Sequence, residues 1–288
     1  MYHLPHKPTM QPTLVDTPPA GSDWLHEIKY DGYRTQLAIW SGHALAYSRN
    51  GNNWTAKFGA IVEDAKAIPA LSALIDGEVC VQDENGVTDF TALPTAITWH
   101  PERLVFFAFD LLHLDGDDLT GKSLEERRAK LRWLVDQVPG SRIVMSDEFA
   151  GDGKAFFDLA DKHGLEGIVS KRKGSRYLSG SSRDWLKIKC WKTSTMDVIG
   201  VDRDKDGVPY ALLADADGNR GAAYIGLPGD LRGAFWRYVE GRAADASPIA
   251  GIKRKASWLR PGMTAQVRYL KGSDKLRHAV VQAIEVEK

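Results

Sequence analysis

Lys29, in the stretch EIKYDGYR at residues 27–34, keeps unusual company for a surface lysine: Ile28 before it, an Asp31-Gly32 pair after it, and Arg34 five positions on. A lysine attacks an electrophile only as the neutral amine, and at an ordinary pKa of about 10.4 roughly one in a few hundred is neutral near pH 8. Burial and neighbouring positive charge favour the neutral form. The stretch WLKIKC supplies such charge in Lys187 and Lys189, which the period of two puts on one face of a strand. Two carboxylates sit in apolar settings, Glu78 in LIDGEVC and Glu166 in HGLEGIVSK. A lysine nucleophile, two strand lysines, two separate carboxylates and an arginine together suit phosphoryl chemistry with a divalent metal.

The elements that must position these groups are readable at low resolution. After a Pro-rich lead, residues 23–51 read as strand, loop, strand, strand, with Gly42 at a turn. RLVFFAFDLL is the continuous apolar run of a buried strand. SLEERRAKLRWLVDQV opens with a Ser123-x-x-Glu126 capping box and carries Leu131, Leu134 and Val135 at helical spacing. GKAFFDLADKH predicts a helix that stops near Gly164, with His163 at its end, and a short strand follows at residues 167–170. From about Thr193 short strands alternate with turn-rich segments, broken by one helix near residues 232–240, which predicts a small β-barrel joined to an α/β domain.

The chain has 288 residues, 43% hydrophobic and 26% charged, a length that suits two domains with a sizeable core. No stretch approaches the ~18 apolar residues of a membrane span, and the first residues lack the pattern of an export signal, so a cytoplasmic protein is expected. Cys80 and Cys190 lack Cys-x-x-Cys spacing and read as buried, reduced thiols. DRDKDG places Asp202, Asp204, Asp206 and Gly207 as a calcium loop would, but the position that should supply a bidentate Glu is Leu213, so a hairpin turn is expected. Net charge is zero, yet basic residues concentrate at 171–192, with Asp184 as the one acid, and at 253–277, with Asp274. Phosphate binding depends on local charge, so these tracts suggest a polyanion surface.

Six segments in order carry a resemblance: KYDGYR at 29–34, SRNG at 48–51, DGEV at 76–79, FAFDLLHLDG at 107–116, EGIVSK at 166–171 and WLKIK at 185–189. They resemble the nucleotidyltransferase motifs of ATP-dependent DNA ligases. The final LRHAVVQAIEVEK is similar to the last OB-fold strand of the ligase modules of bacterial end-joining enzymes. The resemblance implies an α+β nucleotidyltransferase (adenylation) domain at 1–192 followed by an OB-fold β-barrel at 193–288. It implies that Lys29 takes AMP from ATP as a covalent intermediate, that AMP passes to the 5′-phosphate of nicked double-stranded DNA, and that the 3′-hydroxyl then displaces it. Glu78 and Glu166 would hold Mg²⁺, and Glu78 would also meet the ribose. Phe109 would stack on adenine, with Glu27 or the Ile28 carbonyl at its amine. Arg34 and Arg49 would grip ribose and phosphate oxygens, and Lys187 and Lys189 would neutralise the α-phosphate.

For DNA, the expected contacts are Arg49, Lys171, Lys173, Arg176, Arg183, Lys253, Arg254 and Lys255. Lys29 comes so early that a bare catalytic core is expected, holding DNA with its own two domains. It would act as a monomer, with end-joining or repair proteins as possible partners. An RNA ligase or GTP-using capping enzyme shares the lysine motif, whereas EIKYDG with FDLLHLDG favours a DNA ligase. A silent DNA-binding relative would not need Lys29, Glu78, Glu166, Lys187 and Lys189 together. One departure stands out: where related ligases end on Arg-x-Asp-Lys, the aligned residues here are Glu285, Val286, Glu287 and Lys288. Either the glutamate weakens self-adenylation, or it lies on a solvent face while Lys288 or Arg277 fills the role.

Overall fold

The computed structural model describes residues 4–252, 254–270 and 276–286. The chain divides into two compact units, Met1–Cys190 and Trp191–Lys288.

The first unit is built on two sheets. Its strands are β1 (Met10–Leu14), β2 (Trp24–Ile28), β3 (Tyr33–Trp40), β4 (His43–Ser48), β5 (Ser72–Val81), β6 (Leu104–Leu114), β7 (Asp117–Asp118), β8 (Ile143–Met145), β9 (Glu148–Phe149), β10 (Gly167–Arg172) and β11 (Gly180–Lys189). Its helices are α1 (Gly59–Ala65), α2 (Leu93–Trp99), α3 (Leu124–Asp136) and α4 (Gly153–Lys162). One sheet has the order β1-β11-β10-β2-β9; the other runs β4-β3-β5-β6-β7, with β8 also pairing β6. Leu37, Ile75, Val79 and Phe106 pack with Leu131 and Leu134 of α3 on the outer face of the second sheet. Trp24, Ile168, Leu186 and Ile188 pack with Ala160 of α4 on the outer face of the first. A third cluster joins Met10 and Trp185 of one sheet to Ala38, Leu74 and Leu112 of the other, so the inner faces of the two sheets meet.

Alternation along the strands separates core from cleft. On β10 and β11 the even residues Ile168, Leu186 and Ile188 turn to α4, which leaves Val169, Lys171, Trp185 and Lys187 for the inner face. The Ser123/Glu126 capping box is present, a device of about 1 kcal/mol that starts α3 where its arginines meet the sheets. The Pro-rich lead supplies β1, which pairs parallel with β11.

In the second unit are β12 (Trp191–Arg203), β13 (Pro209–Asp215), β14 (Gly218–Ile225), α5 (Gly229–Gly241), β15 (Ala243–Ala244), β16 (Ser257–Leu259), β17 (Met263–Leu270) and β18 (Val280–Val286). The sheet order is β13-β14-β18-β17-β12-β16-β15, and β12 pairs β13 as well, so five strands are linked in a ring of pairings. Phe235 of α5 is fully buried among Val201, Ala211, Val267 and Val281. The DRDKDG segment is the β12–β13 hairpin turn, in which the Asp204 carboxylate accepts from the backbone of Asp206 and Val208. Both cysteines are buried, and no disulfide joins them. Among the described residues no helix is long and apolar enough to cross a membrane.

Candidate functional site

Lys29 follows the last residue of β2, and two backbone bonds fix its surroundings. Its own N–H donates to the Gly167 carbonyl at 2.9 Å, and the Cys190 N–H donates to the Glu166 carbonyl at 2.9 Å. The Glu166–Gly167 pair is thereby stitched between the ends of β2 and β11. Gly167 sits at φ +150°, and a Cβ there would come within 2.0 Å of the Ile188 carbonyl oxygen, which is why the motif needs glycine after its glutamate. A Cβ on Gly32 would lie 2.1 Å from the Val79 carbonyl oxygen. That close approach lays the loop after Lys29 against β5, the strand that carries Glu78.

The side chains converge accordingly. Lys29 Nζ donates to Glu166 Oε2 at 2.6 Å, and Lys189 Nζ lies 3.7 Å from Glu166 Oε1. Glu27 pairs with Val169 and Val169 with Lys187 across β2, β10 and β11, so these three stand in one row on the inner face. Burial lowers the pKa of Lys187, and the Lys29 charge adds to it; burial also lowers Lys189, against the pull of Glu166. Glu78 is pushed up to about 8 by burial, although Lys29 and Arg34 pull it down. A cavity of about 210 Å³ is lined by Lys29, Lys187, Glu78, Arg34, Arg49 and Phe109, with Glu27 and Ile28. A second cavity shares Arg34, Arg49 and Glu78 with it.

Two expected ligand-binding groups are already engaged. Arg34 forms a fork to Asp76, with Nη2 at 2.8 Å and Nε at 3.2 Å, and donates to the Met10 carbonyl at 2.6 Å. The Tyr177 hydroxyl donates to Asp76 Oδ2, the oxygen that also takes Arg34 Nη2. Glu27, although on the cavity wall, takes Arg128 Nη1 at 2.8 Å and Lys171 Nζ at 2.7 Å on Oε1, and Ser146 Oγ at 2.9 Å on Oε2. The Phe109 ring lines the cavity edge-on to Trp185.

Lys171 corrects the expected DNA surface. It was expected to contact DNA, but its side chain is 2% exposed, bonded to Glu27 and set over the Phe109 and Trp185 rings. Strand alternation turns it inward, and a run of basic residues in sequence is not a run on one face. Arg176 and Arg183 are exposed, as are Arg254 and Lys255; Lys173 is half-buried and donates to the Ser22 carbonyl. Arg254 is paired with Asp202 at 3.1 Å. Lys253 and Lys288 lie outside the described residues, and Glu285 is exposed on β18, opposite Thr264.

Sequence reasoning missed Gln11 and Pro12 of β1, Tyr30, and the Arg128 that reaches Glu27. Tyr30 stacks on Phe107 at 3.9 Å. Its place inside the lysine motif was the available signal; nothing in the local sequence pairs residues 10–14 with a strand some 170 residues later.

The chain is similar to known proteins in sequence and in fold. The family profile described as "ATP dependent DNA ligase domain" matches residues 14–189. The multifunctional non-homologous end joining protein LigD of Pseudomonas aeruginosa is 32% identical over 294 residues, 96% of this chain and 35% of that protein. A DNA ligase of Aeropyrum pernix is 34% identical over 192 residues, 61% of this chain and 32% of that protein. The chain thus spans about a third of the length of these relatives. A solved structure titled "mycobacterial DNA ligase D complexed with ATP and MES" superposes with a TM-score of 0.63 at 28% identity, covering 98% of this chain and 95% of that one. The ligase domain of Mycobacterium tuberculosis LigD does so with a TM-score of 0.59 at 27% identity, covering 96% and 94%.

Proposed function

Since the chain belongs to the family of ATP-dependent DNA ligases, we propose that it seals nicks with a 3′-hydroxyl and a 5′-phosphate, through Lys29. The observation that carries this reading is that Lys29 and Lys187 line one cavity, with Glu166 bonded to Lys29 and approached by Lys189. In the first step the Lys29 nitrogen bonds to the α-phosphorus of ATP and the bond to pyrophosphate breaks. The proton Lys29 sheds has Glu166 Oε2, 2.6 Å away, as an acceptor. Lys187 on the cavity wall and Lys189 beside Glu166 bring positive charge to where the α-phosphate gains negative charge. AMP then moves to the 5′-phosphate, and the 3′-hydroxyl displaces it as the new diester forms.

Adenine is read as stacked on Phe109, with its amine at the Ile28 carbonyl or at the remaining lone pairs of Glu27. Glu78 and Glu166 are read as the carboxylates that would hold Mg²⁺; among the described residues no three acidic, histidine or cysteine side chains gather as a metal site. Two carboxylates suit Mg²⁺, which takes much of its shell from phosphates and water. Bound there, the ion would offset charge on the triphosphate. The ring of five paired strands, with one helix against its core, supports reading 193–288 as an OB-fold and the preceding residues as the adenylation domain. The exposed Arg176, Arg183, Arg254 and Lys255 are its candidate DNA contacts. The name of the LigD relative supports end joining as the setting, and we read the chain as acting as a monomer.

The test is incubation with α-labelled ATP and Mg²⁺, followed by a denaturing gel. The wild type should carry label. Lys29→Ala should carry none yet still seal a pre-adenylated nick; wild-type labelling of that variant would remove the central claim.

A further inference from the structure

Arg128 lies on α3 and does not line the cavity, yet its guanidinium is 3% exposed and bonds to four residues around it. Nη1 donates to Glu27 Oε1 at 2.8 Å and to the Phe109 carbonyl at 3.2 Å. Nη2 donates to the Ser146 carbonyl at 2.7 Å, and Nε to Glu148 Oε2 at 2.5 Å. Glu27 belongs to the sheet that carries Lys29, and Phe109 to the sheet that carries Glu78. One planar group therefore ties together, across the cleft, the carboxylate at the cavity wall and the backbone behind the ring proposed to stack on the base.

Resting on the reading of the cavity as an ATP site, we propose that Arg128 is a positioning residue that sets the choice of nucleobase. The guanidinium presents its N–H groups in a fixed fork, so bonding Glu27 and Phe109 with the same nitrogen fixes the distance from base edge to base face. Glu27, held on Oε1 by Arg128 and Lys171 and on Oε2 by Ser146, turns remaining lone pairs to the cavity. Lone pairs accept from a purine 6-amino group and oppose a 6-oxo group. Lys171 Nζ spans the same two groups, at 2.7 Å from Glu27 Oε1 and 3.2 Å from the Phe109 carbonyl, but as a rotatable ammonium on a flexible stem it imposes no fixed angle between them, which the planar fork of Arg128 does.

The experiment compares self-nucleotidylation with α-labelled ATP and with purine riboside triphosphate, the analogue lacking the 6-amino group. The wild type should favour ATP in kcat/KM by about tenfold to a hundredfold, the range of one hydrogen bond to a charged acceptor. Arg128→Lys should bring that preference down to about twofold, chiefly by raising KM for ATP. A merely structural role would depress both nucleotides by one factor and keep their ratio, and that result overturns the proposal. If Arg128→Lys does not fold, Glu148→Gln decides, since Glu148 is at the exposed rim of the guanidinium. A smaller loss of the same preference supports the proposal, and an unchanged ratio overturns it. A wild type that labels equally with both nucleotides overturns this proposal alone; one that ATP does not label overturns the reading of the site as well.

Discussion

The two ends of the cavity treat charge in opposite ways. Where the base is proposed to sit, acids and bases match: Glu27, Asp110 and Glu148 face Arg128, Lys171 and Arg127, with Arg127 forked onto Asp110 at 2.7 and 2.9 Å. Where the phosphates are proposed to sit, Lys29, Lys187 and Lys189 face Glu166 and Glu78, and Glu78 is itself pushed toward its neutral form. A buried ion is tolerated when its hydrogen bonds are complete, and the base end meets that condition. At the phosphate end burial acts against charge, lowering the pKa values of Lys187 and Lys189 and raising that of Glu78. A balanced cluster holds shape, whereas a surplus of cations is a site for an anion the protein does not supply.

The largest break in this contrast should come from Glu166→Ala. It removes the acceptor 2.6 Å from Lys29 and the partner of Lys189, leaving the phosphate end still more positive. Lysyl-AMP formation, followed in a single turnover, should slow by about a hundredfold or more, with DNA affinity hardly changed. Equal losses in rate and in binding would point to collapse of the unit instead.

A smaller effect is expected at the balanced end. Lys171→Met leaves Glu27 with Arg128 and Ser146 and removes a charge from over two aromatic rings. KM for ATP should rise by about tenfold, while the salt dependence of DNA binding stays as in the wild type. Arg183→Ala, at an exposed position, should instead lower the slope of log K against log salt by about 1. A reduced slope in Lys171→Met would return that lysine to the DNA surface.

The two ends also differed in how legible they were. Lys29, Glu166, Lys187 and Lys189 sit on segments whose spacing and chemistry announce them, and the structure brings them together. Alternation on β11 was enough to put Lys187 and Lys189 on one face. The helices at 124–136 and 153–162 were readable from their caps and periodicity. At the base end Glu27 and Phe109 were named only through the resemblance, and the groups that hold them were not readable, because the logic there is pairing between distant residues: Glu27 with Arg128 and Lys171, Asp110 with Arg127. Each arginine, seen alone in SLEERRAKLR, passes for the solvated face of a helix. Lys171 was misread for the same reason, since charge counted along a strand ignores the side to which each residue turns.

The smallest effect, and a direct test of imbalance, lies in Glu78. Burial raises its carboxyl from an ordinary 4.5 to about 8, with Lys29 and Arg34 opposing. Between those two values the folded protein holds a proton that the unfolded chain has released. Unfolding is then favoured as pH rises, so this group contributes stability that is fully present below about 4.5 and lost as pH climbs through about 8. Glu78→Gln carries no such proton and removes that component. In nucleotide-free and metal-free protein, the thermal midpoint of the wild type should fall relative to Glu78→Gln between about pH 5 and about pH 8, by a few degrees. Thermal unfolding at three or four pH values measures it. If the two profiles run parallel, Glu78 is ionised throughout, Lys29 and Arg34 compensate it fully, and the phosphate end is as balanced as the base end.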